Sequence, residues 1–469
     1  MKSLLVVLII FFSFQASLSA SGYSIKVNAK GWEDSTLILG HYFNKKLLVN
    51  DTIILDKKGS GTLTGTKQLP GGIYFLFMPS KEVLDIMVSD DQMFEISFSK
   101  PNHLQSCVIK GAKESEMFCS YQQFISKMQQ EVNPIRERLE KNKDNVDSVN
   151  HIKPQLEAID AKVKEYWNNA IAENPNTFYA AFLKGIQEVQ VPEPFVPFNE
   201  AKRDSIIQWR RYQYYKEHAF DNVNLSDPRL YLTPFLAQKI ETFLTQTIFQ
   251  IPDSVLKESV NLIERSKGDS ISFKYMLSQL FNLANESKQM GMDRVVVGLG
   301  ETYYLSGQAP WADKEFLTKL DERVSKMKPN LVGNIAPELK LQTVDGEFHR
   351  LSEIKAPYTI LVFFEPECGH CKKEIPKLNI DIWQKYKSKG IKIMCVYTQL
   401  KPEPWTEFVQ EHALHEWINV YDPYNLSNYR NLYDVYSTPV IYILDKDKRI
   451  VAKRIAVEDI AGFLDHYLK

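Results

Sequence analysis

Cysteine is scarce in this chain. Five cysteines in 469 residues are too few for a disulfide-stapled scaffold, so stability has to come from apolar cores. An excess of either charge is missing as well. The 57 basic and 58 acidic residues leave a formal net charge of −1, which favours neither nucleic acid nor an anionic membrane surface as a partner. There is one Cys-x-x-Cys and no second, and the nine histidines form no paired cluster. A tetrahedral zinc site would therefore want for ligands. No metal, nucleotide or flavin is called for. The apolar run at residues 4–14 is too short to span a bilayer comfortably.

That run follows Lys2 and is followed by the small residues Ala16, Ser17, Ser19, Ala20 and Ser21. This is the layout of a secretory signal, predicted at residues 1–20. An uncleaved membrane anchor is the alternative. No cysteine stands near the cleavage region to carry a lipid. Export would place the mature chain in the periplasm or cell envelope, an oxidising compartment.

The length suggests about three domains. Residues 21–111 read as a small all-β domain. Phe94, Ile96 and Phe98 alternate with polar residues, the period of a half-buried strand, and Asp56-Lys57-Lys58-Gly59 and Pro70-Gly71-Gly72 supply turns. A sandwich or barrel of short antiparallel strands is expected. Residues 112–329 read as an all-α region. Phe273, Met276, Leu277, Leu280, Phe281 and Ala284 recur with the period of a helix that buries one face. Prolines 192, 194 and 197 should break this region in two. From residue 330 to 469, apolar strand-like runs alternate with amphipathic segments, which predicts a three-layer α/β sandwich. Within it, residues 440–444 and 450–455 read as a hairpin around Asp445-Lys446-Asp447-Lys448.

The chemistry concentrates at Cys368-Gly369-His370-Cys371, between the apolar run of residues 358–364 and a polar, helix-forming stretch from Lys372. Two cysteines at this spacing, at a strand-to-helix junction, are the signature of a dithiol/disulfide switch. One thiol attacks a substrate disulfide and the other must reach the mixed disulfide to release it. The positive end of a helix favours the thiolate, which is the nucleophile. A purely structural disulfide across two residues would be strained and reducible.

Residues 334–469 resemble the thioredoxin superfamily, in its TlpA/ResA-like branch of exported thiol–disulfide oxidoreductases. Three blocks in order carry the resemblance. Ala336-Pro337-Glu338-Leu339, with Gly346 and Leu351-Ser352, precedes the first core strand. Residues Cys368 to Pro376 match the pattern Cys-x-x-Cys-x-x-Glu-x-Pro. Thr438-Pro439 stands before Val440-Ile441-Tyr442-Ile443, where that family has a cis-proline. More loosely, residues 22–330 resemble the β-domain and helical segment fused to such domains in bacterial envelope proteins.

The resemblance implies roles. Cys368, near the helix N-cap, is the attacking thiol, and Cys371, one turn inside the helix, is the resolving thiol. Glu374 is the candidate proton relay for Cys371, because Val362 occupies the place of the aspartate of thioredoxins proper. The alternative for Glu374 is a surface ion pair with a neighbouring lysine. His370 either stabilises the reduced form, making the centre more oxidising, or is simply exposed. Glu367, where the family usually has tryptophan, should raise the thiol pKa and oppose His370. Pro376 should kink the helix. Thr438 and Pro439 are the candidate substrate-binding pair, offering backbone groups to an extended peptide; a trans proline at a strand start is the alternative. Cys395, in an apolar strand, reads as inert core. Cys107 and Cys119 are either a disulfide or two separate thiols.

Together these readings imply an exported oxidoreductase that reduces or isomerises disulfides of envelope proteins. A membrane or periplasmic thiol donor would recharge it, and nucleic acid has no part. A peroxiredoxin-like thiol peroxidase is one alternative, but it wants threonine three residues before the reactive cysteine, where Glu365 stands. The other is an envelope docking protein that works through residues 21–329, with an accessory redox domain.

Overall fold

The computed structural model describes residues 22–198 and 200–468; the predicted signal at residues 1–20 lies outside them. The chain divides into two compact units, Met1–Thr242 and Phe243–Lys469. The division runs through the helical stretch, whose helices fall partly in each unit.

In the first unit the strands are β1 Tyr23–Lys30, β2 Thr36–Phe43, β3 Lys46–Ile54, β4 Ser60–Gly65, β5 Gly72–Phe77, β6 Val83–Val88, β7 Met93–Ser99 and β8 Val108–Lys110. They form two sheets, ordered β4-β1-β7-β8 and β3-β2-β5-β6. Inward side chains of both sheets, among them Ile25, Leu39, Leu76 and Ile96, share one core, so the expected sandwich is present. It is not wholly antiparallel. β1 pairs with β7 in parallel, Ile25 against Phe94 and Val27 against Ile96. No hairpin links those two strands, so no turn dictates their direction. Helices α1 Lys113–Lys141, α2 Val146–Glu173, α3 Phe178–Ile186, α4 Arg203–His218 and α5 Pro234–Thr242 follow. Asn145 and Thr177 cap α2 and α3, their side-chain oxygens accepting from Ser148 N at 3.0 Å and Ala180 N at 3.1 Å. The proline cluster falls between α3 and α4, where the described residues form no helix or strand. Cys107 and Cys119 are buried neighbours in the sandwich core, both free thiols, with the Cys119 S–H donating to Cys107 O at 3.5 Å.

The second unit opens with α6 Pro252–Ser266, α7 Ser270–Glu286, α8 Asp293–Leu299 and α9 Lys314–Met327. The six-residue apolar stripe read in the sequence is the buried face of α7. A seven-stranded sheet follows, of β9 Lys340–Gln342, β10 Phe348–Arg350, β11 Tyr358–Phe364, β12 Lys392–Tyr397, β13 Ile418–Tyr421, β14 Val440–Asp445 and β15 Ile450–Lys453. Its order is β10-β9-β13-β12-β11-β14-β15, with β11, β12 and β13 parallel and β14 and β15 antiparallel. The predicted hairpin is β14–β15, whose turn is held by the Asp445 carboxylate accepting from the N–H of Asp447 and Arg449.

Alternation along β11 divides the unit into layers. Ile360, Val362 and Phe364 face one core with α10 Cys371–Lys377, α12 Pro402–Glu411 and α14 Val457–Tyr467. Leu361 and Phe363 face the other, with Leu339, Leu351 and Tyr433. Phe363 and Phe364 are both fully buried, each worth roughly 1.5–3 kcal/mol of apolar burial. Such a central strand is rigid, and the dithiol loop hangs from its end. This is the three-layer α/β sandwich expected for residues 330–469. Among the described residues, no helix is long and apolar enough to cross a membrane.

Candidate active site

β11 ends at Phe364, and the chain turns through Glu365, Pro366 and Glu367 to reach Cys368. The turn is tied back by the Cys368 N–H, which donates to Glu365 O at 3.1 Å. The sequence places Cys371 one turn inside the following helix. In the structure α10 starts at Cys371 itself, with His370 at its N-cap. Cys368 O nevertheless accepts from Lys372 N at 3.0 Å, so the helical hydrogen-bond ladder begins at the first cysteine. The shift is within the ordinary fuzziness of helix starts. Both thiols therefore lie within reach of the unpaired N–H groups of the first turn.

The two thiols occupy opposite environments. Cys371 is fully buried and packs with Ile375, Leu378, Val362 and Cys395 in the helix-facing core. Cys368 is half-buried at the surface. Burial pushes the Cys371 thiol up to about 12, against weaker pulls from the Glu365 N–H and the Thr438 side chain. Burial also pushes Cys368 up. There it is outweighed by hydrogen bonds from the Cys371 N–H, the Thr438 side chain, the Cys371 thiol and the His370 N–H, which leave that thiol below its ordinary range. In its protonated form Cys368 donates to Thr438 O at 3.2 Å.

Thr438–Pro439 is a cis peptide bond, so the trans alternative is set aside. The two residues lie at the start of β14, beside β11, which is why the sheet brings them to the dithiol. They line a pocket of about 420 Å³ together with His370, Glu374, Arg454, Ile455 and Ala456. Arg454, Ile455 and Ala456 went unnoticed in the sequence. They carry no motif and owe their place to β15 pairing with β14.

The remaining candidates are divided. Glu374 lines the pocket, and its carboxylate also pairs with Lys377 at 3.5 Å, so both readings of this residue have a physical footing. His370 is exposed at the pocket edge, and Glu367 is exposed on the turn. Pro376 lies inside α10. Two residues later the α-helical pattern gives way to a π-helical turn, Leu378–Trp383, before resuming as α11 Gln384–Tyr386. Pro376 has no N–H to continue the ladder, and the helix adapts by widening. Cys395 is wholly enclosed on β12, opposite Val362, and burial raises its thiol pKa well above the ordinary value. Among the described residues, no group of three or more His, Cys, Asp or Glu is placed to hold a metal.

Comparison with known proteins covers the two ends of the chain separately. Residues 332–453 match the AhpC/TSA family, and residues 23–118 match a domain of unknown function (DUF4369). The thiol–disulfide oxidoreductase ResA of Geobacillus kaustophilus is 28% identical over 137 residues, covering 29% of this chain and 76% of that protein. ResA of Bacillus anthracis is 26% identical over 138 residues, covering 29% and 77%. A solved domain of a possible thiol-disulfide isomerase from Cytophaga hutchinsonii is 41% identical, covering 29% of this chain and 92% of that one, with a TM-score of 0.28.

Proposed function

The C-terminal region is a thioredoxin-like domain of the AhpC/TSA family and an oxidoreductase related to the ResA proteins, and from that premise we propose that Cys368 and Cys371 exchange electrons with disulfides of exported proteins. The observation that carries the reading is the asymmetry of the thiols: one lowered and accessible, the other raised and enclosed. The Cys368 thiolate attacks one sulfur of a substrate disulfide. A Cys368–substrate disulfide forms, and the first substrate thiolate leaves. Cys371 then loses its proton and attacks Cys368 Sγ. The enzyme disulfide forms and the second substrate thiolate leaves. Two electrons pass to the substrate, and an external dithiol donor returns them.

Each remaining group has a proposed part. Glu374 takes the Cys371 proton in the second step. Thr438 and Pro439 hold the polypeptide around the substrate sulfur, and His370 and Glu367 set the reduction potential in opposite senses. A signal at residues 1–20 delivers the chain to the periplasm or envelope, where a membrane or periplasmic thiol protein recharges it.

Trapping tests the assignment. Cys371→Ser should accumulate mixed disulfides between Cys368 and envelope proteins, separable by non-reducing electrophoresis and released by reductant. Absence of adducts, or equal trapping by Cys368→Ser, sinks the roles given to the two thiols.

A further inference from the structure

The helices that precede the thioredoxin-like segment build a second hollow beside the dithiol. Arg454, Ile455 and Ala456 wall the dithiol pocket, and the same three residues wall a cavity of about 470 Å³. Its opposite side comes from the end of α7 with the segment after it, and from Arg323 and Met327 of α9. Those residues lie outside the stretch that matches the AhpC/TSA family. One wall of the cavity therefore comes from helices that precede that stretch.

The floor of the cavity is neutralised from within. Lys453, only 7% exposed, contacts the Asp293 carboxylate and donates to Asn330 Oδ1 at 2.6 Å. Arg454 donates to Asp434 Oδ2 at 3.0 Å, and its guanidinium lies over the Tyr436 ring, 4.9 Å from the centroid. Asp459 sits in the first turn of α14, where a helix N-terminus favours a carboxylate. The rim differs. Lys288 and Arg323 are exposed, and neither has an ion-pair partner among the described residues. Tyr436 is 73% and Met290 40% exposed. Among the described residues of the lining, two unpaired basic groups thus stand against the one exposed, unpaired carboxylate of Asp459, so the free charge is basic in excess, and it lies beside apolar surface. No unpartnered buried group waits on the floor to orient a small molecule, whereas spaced groups along a rim suit a flexible chain.

We propose that this cavity is a docking subsite for the polypeptide flanking the substrate disulfide, selecting segments with an acidic residue that Lys288 and Arg323 receive and an apolar side chain that rests on Met290 and Tyr436. The inference deepens the dithiol reading and rests on it.

The experiment uses the full chain and two kinds of probe. One is a set of peptide mixed disulfides in which a glutamate, or a lysine in its place, stands at successive distances from the cysteine. The other is hydroxyethyl disulfide, which is too small to reach the cavity. The charge-reversed pair Lys288→Glu with Arg323→Glu should lower kcat/KM for the best glutamate peptide by roughly tenfold, as two lost ion pairs of partly exposed type would, with the loss in KM. It should leave hydroxyethyl disulfide unchanged and favour the lysine peptide. Tyr436→Ala should weaken both peptides alike. Anisotropy of a fluorescent peptide with serine for cysteine reports docking without chemistry and should show the same charge preference. If the wild type does not distinguish glutamate from lysine at any position in either assay, the subsite is refuted and the dithiol reading stands. If the wild type reduces no disulfide at all, the dithiol reading fails and takes the substrate assignment with it.

Discussion

Brief alkylation of the reduced protein at pH 7 should modify Cys368 and spare Cys371. Burial lifts the Cys371 thiol from 9.0 to about 12, which is three pH units. At pH 7 its thiolate fraction is then about a thousandfold below that of an ordinary thiol. A more basic thiolate is more nucleophilic, with a Brønsted slope of about 0.4–0.5, which restores roughly 15- to 30-fold. The net handicap is roughly 30- to 60-fold against an ordinary thiol. It grows further against Cys368, which lies below the ordinary range, and again because Cys371 has no exposed surface. Timed pulses of iodoacetamide from pH 6 to 10, read by peptide mass spectrometry, check this. The Cys368 rate should rise with pH and level off below pH 9, since a lowered pKa completes its ionisation early. A Cys371 rate within about fivefold of Cys368, or a Cys368 midpoint at 9 or above, would refute the division of roles.

Cys395→Ala should leave disulfide exchange unchanged and cost about 1 kcal/mol in a denaturant melt, because it removes a buried sulfur that no step uses. Glu374→Gln should leave the formation of the Cys368 adduct intact and slow its resolution roughly tenfold in rapid-mixing experiments. If neither step changes, Glu374 serves only as the partner of Lys377. Asp293→Ala should destabilise the second unit by about 3–5 kcal/mol, because it strands Lys453 charged in an enclosed site; pairing it with Lys453→Met should recover most of that loss in the same melt.

Legibility in the sequence followed the range of the forces involved. Phe94, Ile96 and Phe98 announce a strand because each answers to its own neighbours, and the stripe from Phe273 to Ala284 announces a helix for the same reason. The parallel pairing of β1 with β7 leaves no such mark, since the strands meet through a shared core and no turn joins them. Within the site, the dithiol is readable because its chemistry demands a fixed covalent spacing. The Arg454–Ala456 wall is not. Arg454 adopts φ 51°, a conformation that usually advertises glycine, and its place depends on the β14–β15 pairing. The start of α10 lies two residues beyond the cap expected near Cys368, because Gly369 and His370 offer no capping side chain to mark it.

The π-helical turn at Leu378–Trp383 sets the phase of the helix that carries the dithiol. Each residue in such a turn advances the helix by less rotation than an α residue does. Everything beyond it therefore lags. Without that lag, Trp383 and Tyr386 would rotate away from the core that holds Cys371, Ile375 and Leu378. With it they stay buried, the indole N–H of Trp383 reaching Glu416 at 2.8 Å and the hydroxyl of Tyr386 reaching Asp465 at 2.8 Å. The six residues of the turn together lag by about the rotation of one α residue, so the turn absorbs one extra residue without disturbing the phase. Losing a single residue there should let the stretch relax to an ordinary α-helix with both anchors still facing the core, whereas losing a second would turn them out of it and free the far end of the dithiol helix.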